Sequence, residues 1–162
     1  MRTGASTQST IVVPAPSERV YQAFMDPDEL LAWLPPADMT GQMHEFDGRI
    51  GGGYQMSLFY APDEQTFQGK TGELEDRTIV RFTELSPPAR IVEVVTFVSD
   101  DPSFAGEMTI TITLADVPTG TEVTMLFENL PPGLRPADNQ VGADLSLGQL
   151  AEHLAGQTRP SP

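Results

Sequence analysis

The fold is decided by the stretch MTITITLADVPTGTEVTMLF, residues 108–127. Apolar and polar side chains alternate from Met108 to Leu114 and again over residues 122–128, which is the period of a β-strand with one buried face. Thr119-Gly120 supplies a turn signal between the two runs. The stretch therefore predicts two antiparallel strands joined by a short connection.

A helical pattern follows this pair of strands. Residues 138–154 place apolar side chains three and four positions apart and contain no proline. Gly156 is the residue type that commonly follows a helix end. We expect a long C-terminal helix whose apolar face needs a sheet to cover it.

Strand patterns also precede residue 108. Residues 54–60 alternate after the triplet Gly51-Gly52-Gly53, which we interpret as a bend or bulge, and Ile91–Val98 is almost continuously apolar. About seven strands are separated by turn signals, whose acidic residues we interpret as solvated. The signals are Asp47-Gly48, Ala61-Pro62-Asp63, Glu75-Asp76-Arg77, Pro87-Pro88 and Asp100–Pro102.

The N-terminal part predicts one strand and two short helices. Ser9–Val13 is β-branched and is stopped by proline. Ser17 is a candidate N-cap for a first helix, and Asp26 is a candidate cap for a second helix that begins at Pro27. Strand, two helices, antiparallel sheet and long helix together predict an α+β fold.

Length and composition restrict the classes of function. The 162 residues suit one domain, expected over residues 9–156, with flexible termini at 1–8 and 157–162. A formal net charge of −14 disfavours nucleic acid and anionic membranes as partners, and the absence of cysteine excludes thiol chemistry and Cys-ligated metals. The first ten residues lack the apolar core of a signal peptide, so we expect a cytoplasmic protein.

A series of short motifs runs along the chain in a characteristic order and spacing. The motifs are Val13–Pro16, Val20–Phe24, Asp26-Pro27, Leu30–Trp33, Phe46–Arg49, Gly51–Tyr54, Leu85–Val92, Gly120–Thr124 and the Gly142…Ser146-Leu147…Leu150 helix. Together they resemble the START-like (SRPBCC) superfamily of helix-grip folds. Within it, the chain is most similar to the branch named after the activator of the heat-shock chaperone ATPase.

The resemblance implies a curved sheet that wraps around the C-terminal helix and leaves an apolar cavity between them. Two departures from the family pattern stand out. Ala143 occupies a position where the family often carries Trp, so the roof of the cavity is expected to differ. No His stands in the segment Phe127–Leu130, where many members have one, so no function is assigned to that position.

Large, adaptable apolar side chains are the candidate walls of this cavity. They are Trp33, Met43, Tyr54, Met56, Phe82, Phe97, Met108, Ile110, Met125, Phe127 and Leu147. Ordinary core packing is the alternative interpretation for each of them.

Polar candidates are few. Tyr54 and Tyr60 offer hydroxyls, and Arg49 is a less favoured companion. Glu93, Arg81 and His44 interrupt strands, and a register shift of one residue decides whether each faces the cavity or solvent. A carboxyl held in an apolar cavity acquires a raised pKa and is suited to acid–base chemistry, so Glu93 and His44 are the weak catalytic candidates.

Three functions follow as hypotheses. The first is binding of a hydrophobic or aromatic small molecule, without catalysis. The second is a cyclase-like or hydrolase-like enzyme that uses a cavity carboxylate. The third is a protein-interaction module like the co-chaperone members. No metal site or cofactor is expected, because the sequence contains only His44 and His153 as imidazoles and no nucleotide-binding motif.

Overall fold

Seven strands form one antiparallel sheet in the order β1-β7-β6-β5-β4-β3-β2. The computed structural model describes residues 5–36, 38–59 and 75–158. The strands are β1 (Ala5–Val13), β2 (Thr40–Asp47), β3 (Gly53–Phe59), β4 (Glu75–Ser86), β5 (Arg90–Phe97), β6 (Met108–Val117) and β7 (Gly120–Leu130). The helices are α1 (Ser17–Met25), α2 (Pro27–Trp33) and α3 (Pro136–Thr158). The predicted α+β helix-grip arrangement, a curved antiparallel sheet around a long C-terminal helix, is confirmed.

Alternation along the strands separates the buried face of the sheet from the outer face. In β6, Met108, Ile110, Ile112 and Leu114 are buried, whereas the intervening threonines are half-buried. The buried face carries the apolar core, and α3 packs on it with its own buried leucines.

Some element boundaries differ from the sequence prediction. β1 begins at Ala5 rather than Ser9, because residues 5–8 continue its pairing with β7. Pro16, not Ser17, occupies the N-cap of α1, and no side chain caps that end. Asp26 caps α2 as predicted, accepting hydrogen bonds from the amides of Asp28 and Glu29.

Two further predictions fail at the other end of the sheet and in α3. The segment 75–77 is not a turn but the start of β4, where it pairs with the end of β3. α3 continues to Thr158, so Gly156 lies inside the helix. The predicted turn at residues 61–63 and Tyr60 lie outside the described residues.

The glycine triplet ends the short connection between β2 and β3 and supplies the first residue of β3. Gly53 has φ +155°, and a Cβ placed on it would collide with the carbonyl oxygen of Val80. Glycine is therefore required where β3 starts beside β4.

Hydrogen bonds from α3 fix the end of α2. The Ser146 hydroxyl donates to the Leu34 carbonyl at 2.6 Å, and the Gln149 amide donates to the carbonyls of Trp33 and Pro35, both at 2.8 Å.

Within the described ranges, none of the helices combines the length and the apolar character needed to cross a membrane.

A charged cluster joins all three helices. Arg19 of α1 makes two hydrogen bonds to Glu29 of α2, and His153 of α3 contacts the same carboxylate at 2.9 Å. The Arg19 guanidinium, first, and then His153 hold the pKa of Glu29 below its ordinary value against its partial burial. The cluster keeps α1 and α2 together over the sheet.

Candidate functional site

A pocket of about 240 Å³ lies between the buried face of the sheet and α3. Residues of β3 to β7 form its floor, and α2 with the segment that follows it forms one side. The other side is the N-terminal half of α3, from Asp138 to Ser146. Most of the lining is apolar, as expected for sites that bind small organic molecules.

Eight of the eleven apolar residues predicted from the sequence line this pocket. They are Trp33, Tyr54, Met56, Phe97, Met108, Ile110, Met125 and Phe127. The sequence analysis did not predict the further lining residues, because they are spread over five elements and each has the pattern of an ordinary core residue. They include Phe24, Leu30, Val80, Val95 and Ile112.

The other three predicted residues lie elsewhere. Phe82 is fully buried behind the pocket wall, where its ring packs 6.0 Å from that of Tyr54. Leu147 faces the core from α3 rather than the pocket. Met43 lies on the edge strand β2, just before the bulge at His44, and packs against the outside of the core cluster.

Glu93 is the polar residue that distinguishes this pocket from a plain hydrophobic core. In β5, Ile91, Glu93 and Val95 are the buried residues, so the register turns Glu93 inward, where it lines the pocket with only 6% of its surface exposed. No residue in the described part of the chain forms a hydrogen bond or ion pair with its carboxyl group. Burial raises the pKa of Glu93 from 4.5 to about 8, so it is largely protonated at neutral pH.

Tyr54 is the second buried polar group of the pocket. Its ring stacks on that of Phe46 at 5.7 Å with an interplanar angle of 15°. Burial, with a smaller contribution from the charge of Glu93, raises the pKa of Tyr54 well above 10. No described residue hydrogen-bonds with its hydroxyl, so a molecule in the pocket has access to a neutral donor there.

Asp76 is a pocket residue that the sequence analysis missed. It was assigned to a solvated turn, but it lies in β4 opposite Leu58, is 4% exposed and lines the pocket. The run Glu75-Asp76-Arg77 has no apolar residue to reveal a strand. Only the pairing of β4 with β3 places Asp76 on the inner face.

His44, Arg81 and Arg49 do not reach the pocket. His44 is exposed on the outer face, where its ring is 2.8 Å from the Ser57 hydroxyl, which donates to Glu75. Arg81 is also outside, 3.9 Å from Glu107. Arg49 is exposed and pairs with Asp47. Of the two catalytic candidates, only Glu93 therefore lies at the site.

Three other polar side chains at the pocket wall already have partners within the protein. The Ser146 hydroxyl is bound to the Leu34 carbonyl, and the Asn139 amide donates to the Thr7 hydroxyl at 2.7 Å. The indole N–H of Trp33 donates to the Ala23 carbonyl at 3.0 Å. These residues shape the wall, whereas the polar side-chain atoms of Glu93 and Tyr54, which also line it, have no hydrogen-bond partner among the described residues.

Comparison with known proteins assigns the chain to a family. The model of the Activator of Hsp90 ATPase homolog 1-like protein family matches residues 14–155. The chain belongs to the Activator of Hsp90 ATPase homolog 1-like family. A search of the curated proteins gave no match.

Solved structures include similar proteins. A protein of Chromobacterium violaceum is 32% identical with a TM-score of 0.79, and the alignment covers 92% of this chain and 96% of that one. An AHSA1-like protein of Aeromonas hydrophila shares the fold at 20% identity and TM-score 0.72, covering 98% and 99% of the two chains. A protein of Arthrobacter aurescens does so at 17% identity and TM-score 0.76, covering 95% and 88%.

In this member of the Activator of Hsp90 ATPase homolog 1-like family, small residues of α3 leave room above the floor of the pocket. Gly142 and Ala143 both line the pocket. A Cβ added at Gly142 would have no atom within 4 Å, and Ala143 stands where the family resemblance places a Trp. Gly142 therefore leaves space beside the pocket that a larger side chain would occupy.

Proposed function

We propose that this protein binds a small hydrophobic or aromatic molecule in the pocket between the sheet and α3. The observation that carries the proposal is a buried carboxyl, that of Glu93, which lines an apolar pocket and has no partner among the described residues. Among the described residues, no buried side-chain oxygen or nitrogen lacks a hydrogen-bond partner, so the Glu93 carboxyl oxygens are accessible from the pocket. A polar group on the bound molecule would provide the missing partner and fix the molecule's orientation.

The size of the pocket supports a small guest. A cavity of about 150 Å³ is large enough to hold benzene. A pocket of about 240 Å³ therefore suits a molecule of one or two fused rings with a short substituent.

The proposal also includes a cytoplasmic location and no direct contact with nucleic acid, in keeping with the net charge of −14.

Filling the space beside Gly142 is expected to weaken binding strongly. Replacement of Gly142 by leucine places a branched four-carbon side chain into open space beside the lining residues. We expect Gly142→Leu to weaken the binding of 1-naphthylmethanol at least ten-fold in isothermal titration calorimetry.

A separate experiment identifies the natural ligand. It is native mass spectrometry of protein purified from its own host, with organic extraction of the bound molecule.

Gly148→Leu is the matched control for Gly142→Leu. Gly148 also lies in α3 and also has no atom within 4 Å of an added Cβ, but it does not line the pocket. Both substitutions remove a glycine from the helix and therefore alter helix propensity alike. Equal affinity of the two variants for 1-naphthylmethanol would count against the pocket as the binding site.

A second candidate function is acid–base catalysis on the bound molecule. The observation that favours it is a pocket carboxyl with a pKa of about 8, which can exchange a proton near neutral pH. We would incubate the extracted ligand with the protein and follow product formation by mass spectrometry. Turnover that disappears in Glu93→Gln, while the ligand still binds, supports an enzyme. Unchanged ligand in the presence of the wild-type protein leaves only binding.

The family's name suggests a third role, in protein interaction. Such a role uses the molecular surface, whereas Glu93 and Tyr54 are buried and face a pocket. These positions favour a small-molecule ligand over an interaction-only module.

A further inference from the structure

We propose that the pocket selects apolar molecules that carry a basic amine, which forms an ion pair with Glu93. This inference names the ligand class for the proposed binding function and rests on it. The evidence is the kind of ionisable groups that line the pocket, the arrangement of the cations around it, and the unpartnered state of the Glu93 carboxyl.

Every ionisable side chain that the described residues contribute to the pocket wall is an acid or a phenol. Glu93 comes from β5, Tyr54 from β3, Asp76 from β4 and Asp138 from the start of α3. Neither lysine, arginine nor histidine lines the pocket within the described ranges. Each of these groups can carry a negative charge and none can carry a positive charge, so the described wall can form an ion pair with a cation but not with an anion.

The cationic side chains near the pocket do not add positive charge to its wall. Arg19 makes a two-point contact with Glu29 between the helices. Arg81 lies on the outer face of the sheet, near Glu107. Arg135 is highly exposed and is 4.0 Å from Asp138 at the end of the pocket. An anionic guest such as a fatty-acid carboxylate would therefore find no positive partner among the described residues that line the pocket.

An ammonium group satisfies the Glu93 carboxyl in a way that a neutral guest does not. At neutral pH the free carboxyl is largely protonated because of its burial. When an ammonium ion enters, the carboxyl loses its proton to solvent and the two charges pair within the pocket. The step is balanced, because the protonated acid and the ammonium ion give the ion pair and one released proton.

Three probes of nearly the same size separate charge from shape. We would titrate the wild-type protein at pH 7 with 1-naphthylmethylamine, 1-naphthylmethanol and 1-naphthoate by isothermal titration calorimetry. We expect the amine to bind at least ten-fold more tightly than the alcohol, and naphthoate to bind most weakly. Titrations in buffers of different ionisation enthalpy should show close to one proton released per amine bound, and none per alcohol.

Glu93→Gln removes the charge while keeping the shape of the side chain. We expect this variant to bind the amine no better than the alcohol and to release no proton. Glu128→Gln is the control, because Glu128 is exposed on β7 and its substitution changes the net charge by the same amount. The control should retain both the amine preference and the proton release.

Each outcome decides between the two proposals. Equal affinity for amine and alcohol in the wild-type protein, or tightest binding of naphthoate, overturns the amine assignment and leaves the binding function standing. Loss of the amine preference in Glu128→Gln as well also overturns it, because net charge alone then explains the selectivity. Failure of all three probes to bind the wild-type protein overturns the binding function and the amine assignment together.

Discussion

Glu93→Gln is expected to remove most of the loss of stability that the wild-type protein shows as the pH rises from 5 to 9. The pKa of Glu93 is raised to about 8 in the folded protein from an ordinary value of 4.5. Below pH 4.5 the carboxyl is protonated in both the folded and the unfolded protein. The folded protein then has the full stability that a neutral Glu93 allows. Between pH 4.5 and 8 the unfolded chain loses this proton first, and stability falls as pH rises.

The expected size of this effect follows from the shift. At about 1.4 kcal/mol per pKa unit, the change from 4.5 to about 8 corresponds to about 5 kcal/mol. Urea denaturation followed by circular dichroism at pH 5, 7 and 9 measures it. The variant should be close to the wild type at pH 5 and more stable by several kcal/mol at pH 9.

Glu122→Gln provides the comparison, since Glu122 is an exposed carboxylate on β7. This variant should follow the wild-type pH dependence. If the difference between wild type and Glu93→Gln changes by less than 1 kcal/mol from pH 5 to pH 9, Glu93 is not a buried neutral acid.

Trp33→Ala is expected to lower the free energy of unfolding by about 3–5 kcal/mol. Trp33 is fully buried, and its ring meets that of Phe24 edge-on at 4.9 Å. The substitution removes this packing and leaves the Ala23 carbonyl without the indole donor. It also widens the pocket at the end of α2.

Two further variants test this interpretation. Trp33→Phe keeps an aromatic ring and loses only the hydrogen bond and part of the volume, so its cost should be smaller than that of Trp33→Ala. Leu145→Ala removes an apolar side chain that is 44% exposed on α3 and should cost about 0.5 kcal/mol or less. A cost for Trp33→Ala no greater than that for Leu145→Ala would contradict a packing role.

The sheet and its helices follow closely from sequence patterns. Strict alternation in β6 and β7 fixes both the strands and the face that is buried, because every second side chain is apolar. The cap and proline at Asp26 and Pro27 likewise mark the start of α2. Such local signals depend only on neighbouring residues.

The direction of Glu93 could not be predicted in the same way. Val92 and Val94 are as apolar as Ile91 and Val95, so the β5 pattern has no phase that distinguishes the two faces. Only the pairing of Glu93 with Phe82 of β4 and Ile110 of β6 places it inside. The orientation of the carboxyl is therefore a property of the assembled sheet.

The distinction between a pocket wall and a packed core is also non-local. Phe82 and Phe127 are both large, buried and apolar, yet only Phe127 lines the pocket. Gly142 on another element leaves part of this space unfilled, since a Cβ added there would have no atom within 4 Å. No pattern within a single strand records what is missing from the helix opposite.

The position of Trp33 gives the protein a built-in optical reporter. It is the only tryptophan in the sequence, and it lines the pocket at the end of α2. All indole fluorescence therefore comes from one wall of the site. A guest that touches this wall should change the emission wavelength or quench the intensity. Occupancy can therefore be followed in unlabelled protein, also when fractions of a crude extract are added to it in search of the natural ligand.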